Sequence, residues 1–148
     1  MRIRIALAFV CAATLTACNG GTPSPAGWQA VPGASPGQQW SSGTGSALQL
    51  YIYEKKPFAG TLQELTSQQA TEVVGRTKGS HFDGSDTYAP CPGQAALADF
   101  SAADRRTYVQ GMSVRGGNAV LVTYVRPNGT PMNPEVAQAF ATALCGSL

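Results

Sequence analysis

DRRTYVQGMSVRGGNAVLVTYVR, residues 104–126, carries the strongest structural signal in the chain. Two extended runs flank Arg115-Gly116-Gly117-Asn118. Glycines accept the positive φ that tight two-residue hairpins demand, so this tetrapeptide predicts a hairpin tip. With Gly116-Gly117 at the tip, Val114 faces Ala119, Met112 faces Leu121 and Val109 faces Tyr124. Successive side chains point to opposite sides of the pleat. Tyr108, Met112 and Val114 therefore share one face with Leu121 and Val125. Val109 shares the other with Val120, Val122 and Tyr124. Gly111 falls opposite Val122 and leaves room for a packed side chain or a bulge. The run Ala119–Val125, AVLVTYV, is apolar on both sides, which predicts a central strand covered on both faces.

The flanking sequence supplies neighbours for this hairpin. Gln94–Ser101 places Ala96, Ala98 and Phe100 at alternate positions, as a strand does. His81–Ala89 is a weaker strand, interrupted at Asp83-Gly84-Ser85-Asp86, which is expected to turn. Ala47–Glu54 alternates Leu48, Leu50 and Ile52 with Gln49, Tyr51 and Tyr53. Trp28–Val31 and Gln38–Ser41 are expected as short strands set among Pro32, Gly33, Pro36 and Gly37. Their tryptophans serve as core or sheet-edge residues, or as a ligand platform.

Two helices are punctuated clearly. Thr61 and Glu64 form a Thr-x-x-Glu capping box. Leu62, Leu65, Ala70, Val73 and Val74 follow as an apolar stripe, with Gly75 or Gly79 as the stop. Near the end, Asn133 is a good N-cap and Pro134 fits the first helical position. Val136, Phe140, Ala143 and Leu144 share a stripe, Cys145 falls in the last turn and Gly146 ends the helix.

The resulting order is strands, helix, four strands, helix. Consecutive strands joined by short turns give a mostly antiparallel sheet. A helix on either side of the strand run predicts an α/β (α+β) fold, an antiparallel sheet flanked by two helices as an α/β/α sandwich. This order, over residues 28–145, resembles the PsbP-like fold of photosystem extrinsic subunits and of small bacterial lipoproteins of the LpqN type. The resemblance rests on element order and not on a signature motif, so it carries over no functional residue. It implies mainly non-catalytic work, in which members assist or bind other proteins or have no known role.

The amino-terminal stretch has another character. Met1-Arg2-Ile3-Arg4 is positively charged, and Ile5–Ala17 is an unbroken apolar and small-residue run, too short for a permanent membrane span. Leu15-Thr16-Ala17-Cys18 resembles a bacterial lipobox. That resemblance implies diacylglycerol on the Cys18 sulfur, cleavage between Ala17 and Cys18, and acylation of the new amino terminus. An ordinary secretory signal and an uncleaved anchor are the other readings. Asn19 after the lipidated cysteine, rather than Asp, favours transfer to the outer membrane in a double-membrane bacterium. In a single-membrane cell the anchor would hold the domain on the outer face of the cytoplasmic membrane. The chain then divides into a signal (1–17), a lipidated cysteine with a flexible tether (18–27) and one globular domain (28–148).

Charge and cysteine count narrow the function. Of the ten Lys and Arg, Arg2 and Arg4 lie in the signal, and the remaining eight balance the eight Asp and Glu. A neutral mature chain lacks the clustered cations of a nucleic-acid binder. It also lacks a polybasic membrane surface, so two or three acyl chains would do the anchoring. Cys11 leaves with the signal. Cys91 and Cys145 remain, in an oxidising compartment, and one internal pairing is open to them. Closing that loop is worth roughly 4 kcal/mol on the chain-entropy model. A catalytic thiol or metal ligation are the alternatives, but no Cys-x-x-Cys spacing exists.

Catalytic motifs are sparse. His81 is the one histidine, with Asp83 and Asp86 nearby, and no Gly-x-Ser-x-Gly elbow accompanies it. A zinc site would need more His or Cys ligands. Asp83-Gly84-Ser85-Asp86 lacks the calcium-loop spacing and its terminal glutamate. Glu54, Glu64, Asp99 and Glu135 are the candidate carboxylates for glycoside chemistry, and nothing in sequence brings two together. Gly43-Thr44-Gly45-Ser46 is a loop without the lysine of a phosphate cradle. Tyr51, Tyr53, Tyr108 and Tyr124 are sheet aromatics that pack a core or line a small apolar pocket. The expectation is a membrane-anchored, exported, non-catalytic binding or assembly protein with a partner in the cell envelope. No catalytic residue, cofactor, metal or nucleic acid is assigned. A small exported hydrolase and a small-ligand carrier are the competing readings.

Overall fold

Gly116 and Gly117 hold φ values of +56° and +74° at the tip of the central hairpin. Positive φ at both central residues is the turn whose twist matches paired strands. The pairing that follows is the expected one: Val114 with Ala119, Met112 with Leu121, Gly111 with Val122 and Val109 with Tyr124. The computed structural model describes residues 22–146. The expected signal (1–17), Cys18 and the first tether residues lie outside the described residues.

In chain order the elements are β1 (Gln29–Ala30), β2 (Gln38–Ser42), β3 (Gln49–Pro57), α1 (Leu62–Arg76), β4 (His81–Thr87), β5 (Ala95–Ser101), β6 (Arg106–Arg115), β7 (Asn118–Pro127) and α2 (Pro134–Cys145). The strands form one seven-stranded sheet in the order β1-β2-β3-β7-β6-β5-β4. Each neighbouring pair is antiparallel. β7 is the middle strand, as its two-sided apolar run requires. No helix among the described residues is long and apolar enough to cross a membrane.

The two helices cover opposite faces. Val136, Ala139, Phe140, Ala143 and Leu144 of α2 pack with Tyr51, Val109, Val122 and Tyr124. Leu65 of α1 packs with Ala98, Phe100, Met112 and Leu121. These are the two side-chain sets that the hairpin register separates.

Both helix starts are as expected. Thr61 accepts from the Glu64 N–H at 3.2 Å, and the Glu64 carboxylate accepts from the Thr61 N–H at 2.6 Å. Asn133 Oδ1 accepts from Glu135 N–H at 3.0 Å, with Pro134 opening the helix. The buried stripe of α1 differs from the expected one. It holds Leu65 and Gln69, while Val74 is 41 % exposed. Helical spacing from Leu62 through Leu65 leads to Gln69 and Val73, and Ala70 and Val74 lie about 100° around from it. Gly75 sits inside the helix, which ends at Arg76.

Two further expectations change. Asp83-Gly84-Ser85-Asp86 is not a turn but part of β4, with a bulge between Phe82 and Gly84. Bulges and acidic side chains blunt an exposed sheet edge, which is where β4 lies. Packing also begins before Trp28. Pro25 is fully buried, and the Trp28 N–H donates to its carbonyl at 3.3 Å.

α2 is fastened at its carboxyl end from three directions. Cys145 is bonded to Cys91 in the β4–β5 loop, with 5.7 Å between Cα atoms. Arg115, at the hairpin tip, donates to the carbonyls of Ala143 and Leu144 at 2.9 Å each. α2 has no basic residue in its own last turn, so Arg115 supplies the charge that a helix carboxyl end favours. Leu144 fills the space over Gly111, where an added Cβ would lie 2.5 Å from its Cδ1.

Gly111→Ala should therefore destabilise the domain by about 1–3 kcal/mol through overpacking. Urea melts would measure this, and an unchanged midpoint would show that α2 can shift. The unreduced protein should resist alkylation at Cys91 and Cys145. Their replacement by Ala should cost up to about 4 kcal/mol, as expected for a bridge that spans 54 positions.

Candidate functional site

One helix cannot cover a sheet of this width. Outer strands of a seven-stranded sheet lie about 29 Å apart, whereas a helix with its side chains is about 10 Å across. On the α2 face, the β1–β3 half is closed by large aromatics. Trp28 meets Tyr124 at 6.2 Å, Trp40 meets Tyr51 at 5.8 Å and Tyr51 meets Phe140 at 5.9 Å. The α1 face has no such filling. Its central row runs Gln39, Ile52, Thr123, Gln110, Ala98 across β2, β3, β7, β6 and β5.

A cleft of about 170 Å³ opens there, beside the carboxyl end of α1. Val73, Arg76 and Thr77 form its helical side, and Ile52 and Glu54 of β3 form the opposite side. Phe100, Tyr108, Gln110, Thr123 and Val125 make the sheet floor, and Pro36 overhangs from the β1–β2 loop. Gln110 is buried, and its Nε2 donates to Thr123 Oγ1 at 3.3 Å. Its Oε1 is buried without a partner. At the rim, Arg76 pairs with Glu72 at 3.3 Å across one helical turn, a surface pair that contributes little. Burial alone would raise the Glu72 carboxyl pKa. Hydrogen bonds from Gln68 and Gln69, with the Lys56 and Arg76 charges, outweigh it and hold the carboxyl below its ordinary range.

The tyrosines divide between the faces. Tyr51, Tyr53 and Tyr124 pack on the α2 side, and Tyr108 alone of the four lines the cleft. Tyr108 donates to Asp104 at 3.2 Å. Its pKa is raised by burial and by the Asp104 charge. Tyr51 is raised further, by burial first and then by Tyr53 and Tyr88, and its hydroxyl is buried without a partner.

The catalytic candidates lie apart from this cleft, except Glu54. His81 is exposed at the start of edge strand β4, paired across from Ser101. Ser101 Oγ donates to Asp83 at 3.2 Å. A nucleophilic triad needs the imidazole between serine and carboxylate, and this order places serine directly on the carboxylate. Glu64 is engaged in the α1 capping box, Asp99 is exposed on β5 and Glu135 lies in the first turn of α2. Among the described residues, no three His, Cys, Asp or Glu side chains gather as metal ligands would.

Gln110 and Thr123 are the residues that sequence reasoning missed. The signal was present: each is the polar interruption of a mainly apolar run, and the hairpin register places them opposite one another. Neither a protein-family model nor a curated protein matches the chain, so the cleft is interpreted from its own chemistry.

Tyrosines whose folded-state pKa exceeds the unfolded value near 10 stabilise fully below that value, and the contribution is lost as pH rises above it. Stability should therefore fall between about pH 9 and pH 12. Tyr51→Phe should lessen that fall. At pH 7 it should leave stability unchanged or raise it by up to ~1 kcal/mol, because it deletes an unpaired buried hydroxyl. Denaturant melts across this range would check both effects. A clear loss at pH 7 would mean that the hydroxyl has a partner.

Proposed function

We infer that the protein is an exported lipoprotein, held on a membrane through Cys18, whose domain binds a partner and does not transform a substrate. The observation that carries the anchor is Leu15-Thr16-Ala17-Cys18 at the end of a short apolar run behind two arginines. The Cys91–Cys145 bond agrees with an oxidising compartment outside the cytoplasm. In a cell with two membranes, Asn19 favours the periplasmic face of the outer membrane. In a cell with one, the outer face of the cytoplasmic membrane is the site. The order of three strands, helix, four strands and helix supports a PsbP-like architecture of the kind found in small bacterial lipoproteins.

The docked Pro25 shortens the tether. Seven residues, Cys18 to Ser24, reach at most about 25 Å when fully extended, so the domain would ride close to the lipid surface. Trp28, just after the docked segment, packs on the α2 face. The cleft opens on the opposite face, away from the point where the tether joins. This favours small-ligand carriage as the second reading. The exported-hydrolase reading has less support, since Ser101 donates to Asp83 and the candidate carboxylates lie on separate elements.

Cells fed alkyne-tagged palmitate should label the native chain and leave Cys18→Ser unlabelled. That variant should also move from the membrane fraction to the soluble envelope fraction. Equal labelling of the two chains would defeat the anchor.

A further inference from the structure

Gln110 is the one feature of the cleft that packing does not explain. It is 3 % exposed, at the centre of the α1 face of the sheet. Its Oε1 is buried without a donor, although its Nε2 reaches Thr123. Exchanging the two ends of the amide would leave an unpaired N–H in place of the unpaired oxygen, because the single Thr123 hydroxyl engages one end at a time, and a probe with a donor and one with only an acceptor tell the two apart. A buried polar atom without a partner destabilises the fold, and an apolar side chain of the same size would avoid that. Tyr51, Gln69 and Ser113 also carry buried polar atoms without partners, but Gln110 alone of these four lines the cleft, where an occupant can complete the hydrogen bond.

The surroundings define the occupant. Ile52, Val73, Phe100 and Val125 supply apolar walls, and about 170 Å³ is the size class that admits one small aromatic molecule. Glu54 and Arg76 line the cleft with opposite charges, and Arg76 is already paired with Glu72, so an anion meets no unpaired cation and a cation meets only the half-buried Glu54. We propose that this cleft binds a small neutral molecule, with an apolar ring or short chain against the walls and one N–H or O–H group donating to Gln110 Oε1 after a turn of the amide brings that oxygen, sealed from solvent in this structure, to the cleft. The proposal rests on the domain being a binding module, and it is independent of the Cys18 anchor. The walls provide affinity. The amide provides selection, because an analogue without the donor leaves Oε1 unpaired.

The test uses the full chain carrying Cys18→Ser, titrated with indole and with benzofuran, which has the same bicyclic outline but no N–H. Indole should shift the backbone amide resonances of residues 73–77 and of Thr123, and should bind about tenfold more tightly than benzofuran. Gln110→Met keeps the bulk and removes the amide. It should bind the two probes equally and melt at a higher temperature than the unsubstituted chain. Val73→Phe, on the partly exposed edge of α1, fills the cleft and should abolish binding of both. Absence of indole shifts at the cleft would overturn the proposal, as would equal affinities in the unsubstituted chain. A preference for indole that persists in Gln110→Met, or binding that survives Val73→Phe, would do the same. Loss of palmitate labelling on the native chain would bear on the anchor alone and leave these outcomes unaffected.

Discussion

The pairing of Val109 with Tyr124 across the central hairpin assigns every nearby side chain to one helix or the other. In a sheet with period two, a slip of one residue would turn Val109, Val122 and Tyr124 towards α1 and Met112 and Leu121 towards α2. Both helices would then lose their partners at once. The register is held at the tip, where two glycines adopt a turn that residues with a Cβ rarely tolerate. It is held again along the strands, because β3 pairs with the free edge of β7 over Leu50 to Pro57. The hairpin is thus the frame on which the two cores are separately built.

On that frame α2 is placed by complementarity and then locked. Gly111 provides a hollow, Leu144 enters it, and Arg115 from the same hairpin closes the last carbonyls of the helix. The Cys91–Cys145 bond joins this end of the helix to the β4–β5 loop. These constraints act in different states. The packing and the Arg115 bonds stabilise the folded chain, whereas the disulfide chiefly restricts the unfolded one. A short helix with no cation in its own last turn can therefore be well fixed without much intrinsic helical stability.

What was legible in the sequence follows the range of the forces involved. The hairpin register, the Thr61–Glu64 box and the Asn133-Pro134 start are set by neighbours within a few residues, and the structure reproduces each. The Cys91–Cys145 pairing was legible for another reason, since few cysteines were left to pair. Gln69 was lost because its stripe is fixed by where α1 meets the sheet, and a polar residue gives no apolar periodicity to follow. The bulge in β4 was lost because Asp-Gly-Ser-Asp has turn chemistry, and pairing with β5 overrides it. Pro25 lay in a segment with a linker's composition, but burial depends on the surface waiting for it. Leu15-Thr16-Ala17-Cys18, which resembles a lipobox, lies outside the described part of the chain.

The cleft was the least legible feature, because it arises from a mismatch between the two halves of one sheet face. Alternation in β2 and β3 sends Trp40, Tyr51 and Tyr53 to the α2 side and leaves Gln39, Ser41, Ile52 and Glu54 on the α1 side. The bulky side chains close one face without a second helix, and the smaller or polar ones leave the other face open. If this opening were a packing defect, its floor could be expected to be apolar, since nothing local demands otherwise. Its floor instead carries Gln110 and Thr123, hydrogen-bonded to one another in the two most buried strands. Such a pair weakens the core unless an occupant completes its hydrogen bonds. Tyr51 and Ser113 carry unpartnered hydroxyls on the covered α2 face, whereas Gln110 carries its unpartnered oxygen beside an opening, which is what the binding role proposed for the cleft requires.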